Sequence, residues 1–484
     1  MSDLLTEHAN RLSRSGPVPK VGIVHLGPGA FFRAFNAVYT DEAMMQAGGD
    51  WGILAVSLRS ATVRDQLAPQ GDVFTSVTLN PVELQTRVVG AIARTLVAPE
   101  DPQAVIEAMV DPNVKIVSLT ITEKGYCIAP STGALDLNHP DIVHDLAQPE
   151  HPRSAVGYIV AALTARRKAG RLPFTVLSCD NLPSNGALAR AMVLDFARQV
   201  DEDLALWVDQ TGSFPATMVD RITPATTPEN VAMLAEVVGY HDPACVFHES
   251  FRQWVIEDDF VDGYPAWDSA GAQFVDSVDA HEMMKLRCLN GTHSALAYLG
   301  YLAGYETISE TVHNPDFSAL CDTLWRDEII PTLTPPAGED LPTYCASLIA
   351  RYRNSAIKHR TWQIAMDGSQ KLPQRLLGTI EDNLKMGREP KGLFLALAGW
   401  MRYVGGVDEN NKPIDVRDPL ALALKAAFAN APTNAGKVAA LLEFSEIFPE
   451  PLTKEVRFRA SVTKAFENLM EFGAKAAVNS VVTH

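Results

Sequence analysis

The stretch KVGIVHLGPGAFFRAF, residues 20–35, decides the fold that the sequence predicts. Its first seven residues form an apolar run typical of a buried strand, and Gly27 and Gly29 follow at once. Residues 33–48 then show the periodicity of an amphipathic helix. Strand, glycine turn and helix in this order are typical of the first unit of a dinucleotide-binding sheet, except that Phe32 stands where G-x-G-x-x-G requires its third glycine.

The glycine turn by itself leaves two interpretations open. Between a strand and a helix, the missing Cβ atoms of Gly27 and Gly29 let backbone amides approach a pyrophosphate, and the helix N-terminus adds partial positive charge. Turns of the form G-x-G that bind nothing are also common, so an ordinary turn is the alternative.

Later segments extend this pattern to a sheet. Continuous apolar runs, which favour parallel strands covered on both faces, lie at 51–58, 114–121 and 174–180. Amphipathic helical spacing follows at 154–170 and 185–200. The segment after Asp72, VFTSVTLNPVELQTRVVGAIA, alternates like an antiparallel excursion.

Strand signals nearly vanish after about residue 280, where we place a domain boundary. The clearest loop is the proline-rich stretch 331–342. We therefore predict an α/β protein with a Rossmann-type parallel-sheet domain carrying extra strands (1–280), followed by a mostly α-helical domain (281–484). The helical segments of the second domain are 281–303, 316–327, 340–353, 372–386, 392–404, 418–429 and 453–475.

Composition narrows the class of protein. A chain of 484 residues, 47% of them hydrophobic, can fill two or three cores. The net charge of −17 disfavours nucleic acid and anionic membranes as partners, because both are bound through Lys and Arg. A small-molecule ligand fits this charge better.

The ends and the cysteines of the chain suggest a cytosolic location. The first residues lack an apolar signal core, and the longest apolar stretches, such as 393–401, are about half of the ~20 residues that a membrane span requires. The six cysteines form no C-x-x-C pair, so we expect neither a zinc cluster nor disulfides, but reduced and buried thiols. We expect a cytoplasmic monomer or small homo-oligomer.

The end of the second predicted strand, SLRS, bears on cofactor choice. Sheets that bind NAD usually carry an acidic residue there for the ribose hydroxyls. Arg59 and Ser60 offer contacts to a 2′-phosphate instead, which favours NADP, or Arg59 stacks beside the adenine. A solvated arginine at a strand end is the third interpretation.

The segment HEMMKLRCLNGTHS, residues 281–294, is a candidate catalytic helix. At 3.6 residues per turn, Lys285, Asn290 and His293 fall within an arc of roughly 140° and face one side. A lysine with a lowered pKa can take a proton from a hydroxyl while an amide stabilises the alkoxide. The alternative is a surface lysine, an asparagine at a local bend and a core histidine.

Two further stretches, 178–186 and 360–375, can each be interpreted either as part of a ligand site or as ordinary structure. SCDNLPSNG (178–186) places Asp180 and Asn181 at the carboxyl end of a strand, where ligands bind in open α/β sheets; helix capping is the alternative. RTWQIAMDGSQKLPQR (360–375) forms a small basic cluster that suggests an anionic ligand, and solvated charges are the alternative. The members of this basic cluster are Arg360, Lys371 and Arg375.

Over nearly its whole length, the sequence resembles the polyol-specific long-chain dehydrogenases, the mannitol dehydrogenase family. Several ordered motifs carry the resemblance, which makes it far more specific than any one of them. They are GPGAFFRAF, TITEKGY (120–126), SCDNLPSNG, FPATMVDRITPATTP (214–228), WVIEDDF (254–260), VDAHEMMKLRCLNGTHS and AMDGSQKLPQR.

The resemblance implies a metal-free dehydrogenase whose active site lies in the cleft between the two domains. Its signature K-x-x-x-x-N-x-x-H maps onto Lys285 as general base, Asn290 and His293. Asn181 completes the pair of amides that stabilise the alkoxide. Glu282 matches a glutamate that passes protons between the lysine and solvent. Lys371 matches a second lysine that binds substrate.

The family's first motif is G-x-G-x-F-x-R, so no third glycine is expected in it. The resemblance then implies NAD as the cofactor, with NADP left open. We expect Gly27 and Gly29 at the pyrophosphate, with Phe31 and Phe32 replacing the close helix packing that a third glycine permits. The other implied cofactor residues are Arg33, Arg59, Glu123 and Lys124.

The substrate is predicted from one departure from the family pattern. Mannitol dehydrogenases carry an arginine just before the I-A-x-D-G turn, where this chain has Gln363. Arg360, Lys371 and Arg375 can instead pair with a sugar-acid carboxylate. We expect reduction of D-fructuronate to D-mannonate, with mannitol 2-dehydrogenase and D-arabinitol dehydrogenase activities as alternatives.

Other classes of protein are more distant alternatives. The Y-x-x-x-K pair of short-chain dehydrogenases and zinc-ligand spacing are both missing from the sequence. A Schiff-base lyase that uses Lys285 has the same need for a lowered lysine pKa. A non-catalytic nucleotide sensor would keep the fold without the chemistry.

Overall fold

The computed structural model describes residues 10–80, 84–129 and 132–483. The chain divides into two compact units, Met1–Asp279 and Ala280–His484. Apolar cores form separately within each unit. In the described part of the chain, no helix has the length and apolarity needed to cross a membrane.

The first unit is built on a parallel sheet with the strand order β5-β2-β1-β6-β7. The central strand β1 pairs in parallel with β2 and β6. Val24 and Leu26 of β1 face one core and Ile23 faces the other, so the sheet is covered on both sides. Its strands are β1 (Val21–Leu26), β2 (Gly52–Ser57), β5 (Ile92–Val97), β6 (Ile116–Leu119) and β7 (Thr175–Ser178).

Two smaller sheets complete this unit. In one, β3 pairs antiparallel with β4, as predicted for the segment after Asp72, and in parallel with β9. In the other, β10 pairs antiparallel with β8 and parallel with β11. These strands are β3 (Phe74–Leu79), β4 (Gln85–Val89), β8 (Thr217–Asp220), β9 (Val246–Glu249), β10 (Gln253–Glu257) and β11 (Gln273–Val275).

The helix predicted after the glycine turn is broken in two. Phe35, with φ −127° and ψ −83°, separates α1 from α2. The Arg221 guanidinium donates to the carbonyl of Ala34 at this break (2.6 Å). The helices of this unit are α1 (Ala30–Ala34), α2 (Asn36–Ala47), α3 (Thr62–Leu67), α4 (Pro102–Val110), α5 (Pro140–Ala147), α6 (Ala155–Lys168), α7 (Asn185–Val200), α8 (Glu202–Thr211) and α9 (Pro228–Val238), with short 3₁₀ turns at Ala68–Gln70 and Glu123–Tyr126.

The second unit is helical, and residues 280–483 contain no strand beyond isolated bridges. Helix α18 packs between α11 and α22, and 12 of its 14 residues are buried. The α-helices are α10 (Asp279–Met284), α11 (Thr292–Leu302), α12 (Ile308–His313), α13 (Pro315–Thr323), α14 (Leu341–Tyr352), α15 (Thr361–Ile364), α16 (Gly368–Leu372), α17 (Gly378–Lys385), α18 (Lys391–Val404), α19 (Ala421–Asn430), α20 (Asn434–Leu442), α21 (Glu450–Lys454) and α22 (Val456–Val482). A 3₁₀ turn covers Ile330–Thr332.

These arrangements confirm the predicted fold class, a Rossmann-type parallel sheet followed by a helical part. The prediction of uninterrupted α-helices was wrong in three places, where the helix widens to the π form with i to i+5 hydrogen bonds. The π segments are π1 (Lys285–Gly291), π2 (Leu324–Ile329) and π3 (Pro373–Leu377). All six cysteines are free and buried, as expected.

Glu328 of π2 is a buried carboxylate that caps the central helix of the second unit. It is 5% exposed and accepts hydrogen bonds from the backbone N–H groups of Gly392 (2.7 Å) and Leu393 (2.8 Å), in the first turn of α18. Desolvation disfavours the charged form and raises the pKa of Glu328 from 4.5 to about 7. The site therefore takes up a proton on folding between these two pH values.

The sign of this shift gives a pH-dependent stability. The stabilisation associated with protonated Glu328 is complete below pH 4.5 and is lost as the pH rises through about 7. The pKa difference corresponds to about 3 kcal/mol. We expect the melting temperature of the native protein to fall between pH 5 and pH 8 relative to that of Glu328→Gln, measured by differential scanning fluorimetry. Parallel curves for the two proteins would contradict this expectation.

Candidate active site

The glycine turn after β1 depends on a close backbone approach at Gly27. Its φ is +92°, and a Cβ atom there would lie 2.3 Å from the carbonyl oxygen of Thr120, at the end of β6. The Thr120 hydroxyl donates to the Gly27 carbonyl (2.7 Å), which ties the two strand ends together. Gly29 is exposed, and a Cβ there would come no closer than 4.0 Å to another atom. The backbone at Gly29 is therefore accessible to a ligand, whereas the backbone at Gly27 is fixed by its packing against Thr120.

An aromatic stack occupies the place of the third glycine. The Phe32 ring lies 3.6 Å from the His25 ring, nearly parallel to it. His25 contacts the hydroxyls of Ser118 through Nδ1 (2.8 Å) and of Thr120 through Nε2 (3.0 Å). Burial lowers the pKa of His25 to about 3, so the ring is neutral. Phe31 stacks on Phe35 (5.0 Å), and both rings following the turn therefore have packing partners.

The two arginines predicted near the turn differ in exposure. Arg33 is 6% exposed and donates to the carbonyl of Pro28 (3.1 Å), so it supports the turn from inside. Burial lowers the pKa of Arg33 to about 10, which leaves it charged at neutral pH. Arg59 is exposed, two residues beyond the end of β2.

Asp180 organises the edge formed by the ends of β6 and β7. Its buried carboxylate accepts hydrogen bonds from the backbone N–H groups of Ile121 (3.1 Å) and Thr122 (2.8 Å) and from the hydroxyl of Tyr126 (2.8 Å). The following residue, Asn181, is exposed at this edge. Asp180 therefore fixes the loop rather than capping the next helix, whose N-cap position is held by Ser184.

Tyr126 is a contact that sequence reasoning missed. Its hydroxyl also pairs with the hydroxyl of Ser178 (2.6 Å), and the ring is 1% exposed. The 3₁₀ turn that ends at Tyr126 presents Glu123 and Lys124 to solvent.

In the second unit, the predicted catalytic residues lie along one continuous helix formed by α10, π1 and α11. Glu282 lies in α10, one turn before Lys285, the first residue of π1. Lys285 is 8% exposed, whereas Asn290 is half-buried. In an α-helix these two residues would be about 140° apart. The π segment makes this angle smaller, because i to i+5 hydrogen bonding sets Asn290 little more than one turn beyond Lys285.

His293 is held neutral in a positively charged environment. Burial lowers the pKa of its ring well below the usual value, and the charges of His359, Arg375, Arg351 and Lys371 lower it further. The ring packs beside those of Tyr352 (5.3 Å) and His359 (4.6 Å). Within the described residues, Nε2 of His293 is buried without a hydrogen-bond partner. A neutral imidazole nitrogen of this kind can accept or donate one hydrogen bond to a ligand hydroxyl.

Lys371 and Arg375, from the predicted basic cluster, lie near His293. Lys371 donates to the carbonyl of Met366 (2.5 Å), and burial, followed by the charge of Arg375, lowers its pKa. Arg375 donates to the hydroxyl of Ser294 (3.2 Å), next to His293. Burial also lowers the pKa of Arg375.

Arg360 and Gln363 are placed differently from Lys371 and Arg375. Arg360 is exposed and pairs with Glu306 (3.7 Å) beside an open groove of about 390 Å³. Gln363 is exposed on α15. The cluster inferred from charges close in sequence is therefore divided in the structure, because a short helix and a turn separate Arg360 from Lys371. Arg351, Tyr352 and His359 surround His293 instead, and no pattern in the sequence marked them.

Gly27→Ala tests the close approach at the turn, with Gly29→Ala as the matched control. An added Cβ at Gly27 is strained by the positive φ and by the Thr120 carbonyl, whereas one at Gly29 has ordinary space. We expect Gly27→Ala to lose about 1–3 kcal/mol of stability and Gly29→Ala to melt close to the native protein, measured by thermal unfolding. Equal losses would show that the two positions are not distinguished as described.

Comparison with known proteins gives a consistent family. The mannitol dehydrogenase Rossmann domain matches residues 21–269, and the mannitol dehydrogenase C-terminal domain matches residues 277–470. The chain is 47% identical to D-mannonate oxidoreductase of Escherichia coli (strain K12), over 94% of each chain. It is 39% identical to mannitol 2-dehydrogenase of Phaeosphaeria nodorum, over 95% of this chain and 81% of that one.

Solved structures agree with these matches. The structure of Pseudomonas fluorescens mannitol 2-dehydrogenase, a ternary complex with NAD and D-mannitol, is 38% identical and superposes with a TM-score of 0.84, covering 100% of this chain and 99% of that one. A D-sorbitol dehydrogenase in substrate-free form is 33% identical, with a TM-score of 0.90 and coverage of 98% and 99%. The chain therefore belongs to the mannitol dehydrogenase family of oxidoreductases.

Proposed function

We propose that the protein is an NAD-dependent dehydrogenase of sugar acids or polyols, and that its main reaction is the reduction of D-fructuronate to D-mannonate at C2. Family membership supports the reaction class, and the 47% identity with a D-mannonate oxidoreductase supports the sugar acid. The observation that carries the choice of substrate is the positive environment of His293, to which Arg375, Arg351 and Lys371 contribute.

The edge of the parallel sheet fits a dinucleotide. Gly29 leaves its backbone open, and Gly27 keeps the turn close to β6, so that a pyrophosphate can approach the main chain. Arg59, Glu123 and Lys124 are exposed beyond the carboxyl ends of β2 and β6, at the edge where ligands bind in open α/β sheets. Bound NAD(H) would supply the hydride chemistry. Arg59 can contact either a 2′-phosphate or the adenine, so it is compatible with both cofactors. We expect a lower Michaelis constant for NADH than for NADPH, because the related mannitol 2-dehydrogenase structure holds NAD.

Proton transfer falls to residues of the chain itself. Lys285 donates a proton to the developing C2 alkoxide during reduction and removes it during oxidation. Asn290, on the same side of the helix, and Asn181 donate hydrogen bonds to that oxygen. Glu282, one helical turn from Lys285, passes protons from solvent to Lys285 during reduction and from Lys285 to solvent during oxidation.

His293 and the basic groups orient the rest of the substrate. The free Nε2 of neutral His293 bonds a neighbouring substrate hydroxyl. Arg375 donates to the neutral hydroxyl of Ser294, and its guanidinium has further N–H donors for a carboxylate. A charge-assisted bond in a desolvated place is stronger than one between neutral groups, which favours a sugar acid over a polyol of the same length.

Substrate preference is the direct test. A charge-assisted hydrogen bond contributes about 1.5–3 kcal/mol, so we expect kcat/KM with NADH to be about 10- to 100-fold higher for D-fructuronate than for D-fructose. Arg375→Gln should remove most of this difference. Equal or better turnover of D-fructose would reject the sugar acid and favour mannitol 2-dehydrogenase activity.

Lys285→Ala tests the acid–base assignment. We expect kcat to fall by about 10²- to 10⁴-fold, because general acid–base catalysis typically contributes that much, with NADH binding by fluorescence titration unchanged. Lys385→Ala, at an exposed lysine that pairs with Glu381, is the control and should keep full activity. Borohydride trapping of a substrate adduct on Lys285, without any nicotinamide absorbance change, would instead indicate a Schiff-base lyase.

A further inference from the structure

The π1 segment receives two side-chain hydrogen bonds from distant helices. The indole N–H of Trp325 in π2 donates to the carbonyl of Cys288 (2.9 Å). The hydroxyl of Tyr352, the last residue of α14, donates to the carbonyl of Leu289 (2.9 Å). Trp325 is 3% exposed and Tyr352 is 4% exposed, so both bonds are shielded from water.

These bonds act where the helix is widest. A helix that changes from i+4 to i+5 hydrogen bonding strains its regular ladder, and side chains that bond its carbonyls stabilise the irregular turn. Cys288 and Leu289 lie between Lys285 and Asn290, within the turn that sets their relation. Without outside donors, the intrinsically preferred α form would return, and Asn290 would lie about 140° around the helix from Lys285, at the edge of the arc that one ligand can reach.

The π1 segment also packs closely against π3, at Gly291. A Cβ on Gly291 would lie 2.7 Å from the carbonyl oxygen of Arg375 in π3. Gly291 has an ordinary helical φ of −64°, so it serves close packing and not an unusual backbone conformation. Tyr352 also packs its ring beside His293, and one residue therefore touches both the π turn and the histidine that follows it.

We propose that Tyr352 and Trp325 are positioning residues that hold Lys285–Gly291 in the π form and thereby align Lys285 with Asn290. This inference rests on the proposed function, because alignment matters through the proton transfer and alkoxide stabilisation assigned to these residues. Tyr352 also sets the ring of His293 relative to the same pair.

Tyr352→Phe is the sharpest test, since it deletes the hydroxyl and keeps the ring against His293. We expect kcat to fall about 10- to 100-fold, as for small misplacements of catalytic groups, while the Michaelis constant for NADH and the melting temperature stay near native values. The control is Tyr158→Phe, which deletes an equivalent buried bond to the carbonyl of Ala98 (3.2 Å) in the other unit. It should retain native kcat.

A double-mutant cycle separates positioning from a general structural effect. In an Asn290→Ala background, Tyr352→Phe should lose much less activity than in the native background. The amide that Tyr352 helps to align with Lys285 is already missing there, so its misplacement has no further effect. Deuterium exchange of the backbone amides in a peptide covering 285–292 should be faster in Tyr352→Phe than in the native protein. We expect the same increase in Trp325→Phe, which serves as the test variant in the event that Tyr352→Phe folds poorly. Unchanged exchange, kcat within twofold of native, or equal losses in both backgrounds would overturn the inference.

The exchange measurement also keeps the two proposals distinguishable. A native protein that oxidises or reduces no sugar acid or polyol would refute the proposed function. Exchange across 285–292 would still decide whether Tyr352 and Trp325 hold the π form.

Discussion

The approach of Gly27 to the carbonyl of Thr120 is the constraint on which the first unit depends. No side chain fits there, since a Cβ would lie 2.3 Å from that oxygen. The approach joins the ends of β1 and β6, allows the Thr120 hydroxyl to bond the turn and brings His25 under Phe32. The exposed edge at Gly29, Arg59 and Lys124 is then a consequence of backbone geometry, with side-chain chemistry added afterwards.

Local pattern predicted those parts of the fold that depend on local burial. Parallel strands covered on both faces leave continuous apolar runs, and the runs at β1, β2, β6 and β7 were found for that reason. Local pattern did not predict the break at Phe35, because the residue that bonds the Ala34 carbonyl at the break, Arg221, lies 187 residues away in the sequence. The π1 segment escaped for a similar reason, as the donors to its carbonyls lie 37 and 63 residues further along the chain.

The candidate site divides in the same way. Spacing alone placed Lys285, Asn290 and His293 on one helix, although it assumed a regular α-helix where the structure has a π segment. The resemblance to a family supplied the proposed roles of the three residues. Charge proximity in sequence grouped Arg360 with Lys371 and Arg375, whereas in the structure Arg360 pairs with Glu306. Long-range packing also brings Arg351 and His359 to His293, which a charge count cannot anticipate. A chain of net charge −17 thus surrounds His293 with positively charged side chains.

The π turn between Lys285 and Asn290 also bears on how this helix can change in length. A π turn holds one more residue than an α turn, so it is equivalent to a single-residue insertion in a regular helix. Deleting one residue between Leu286 and Leu289 would restore a regular α-helix in which Asn290 follows Lys285 by four positions, about 40° away, and so keeps the same side of the helix. A helix with one residue fewer in this turn would therefore present the same pair of side chains without the outside hydrogen-bond donors that the π form uses.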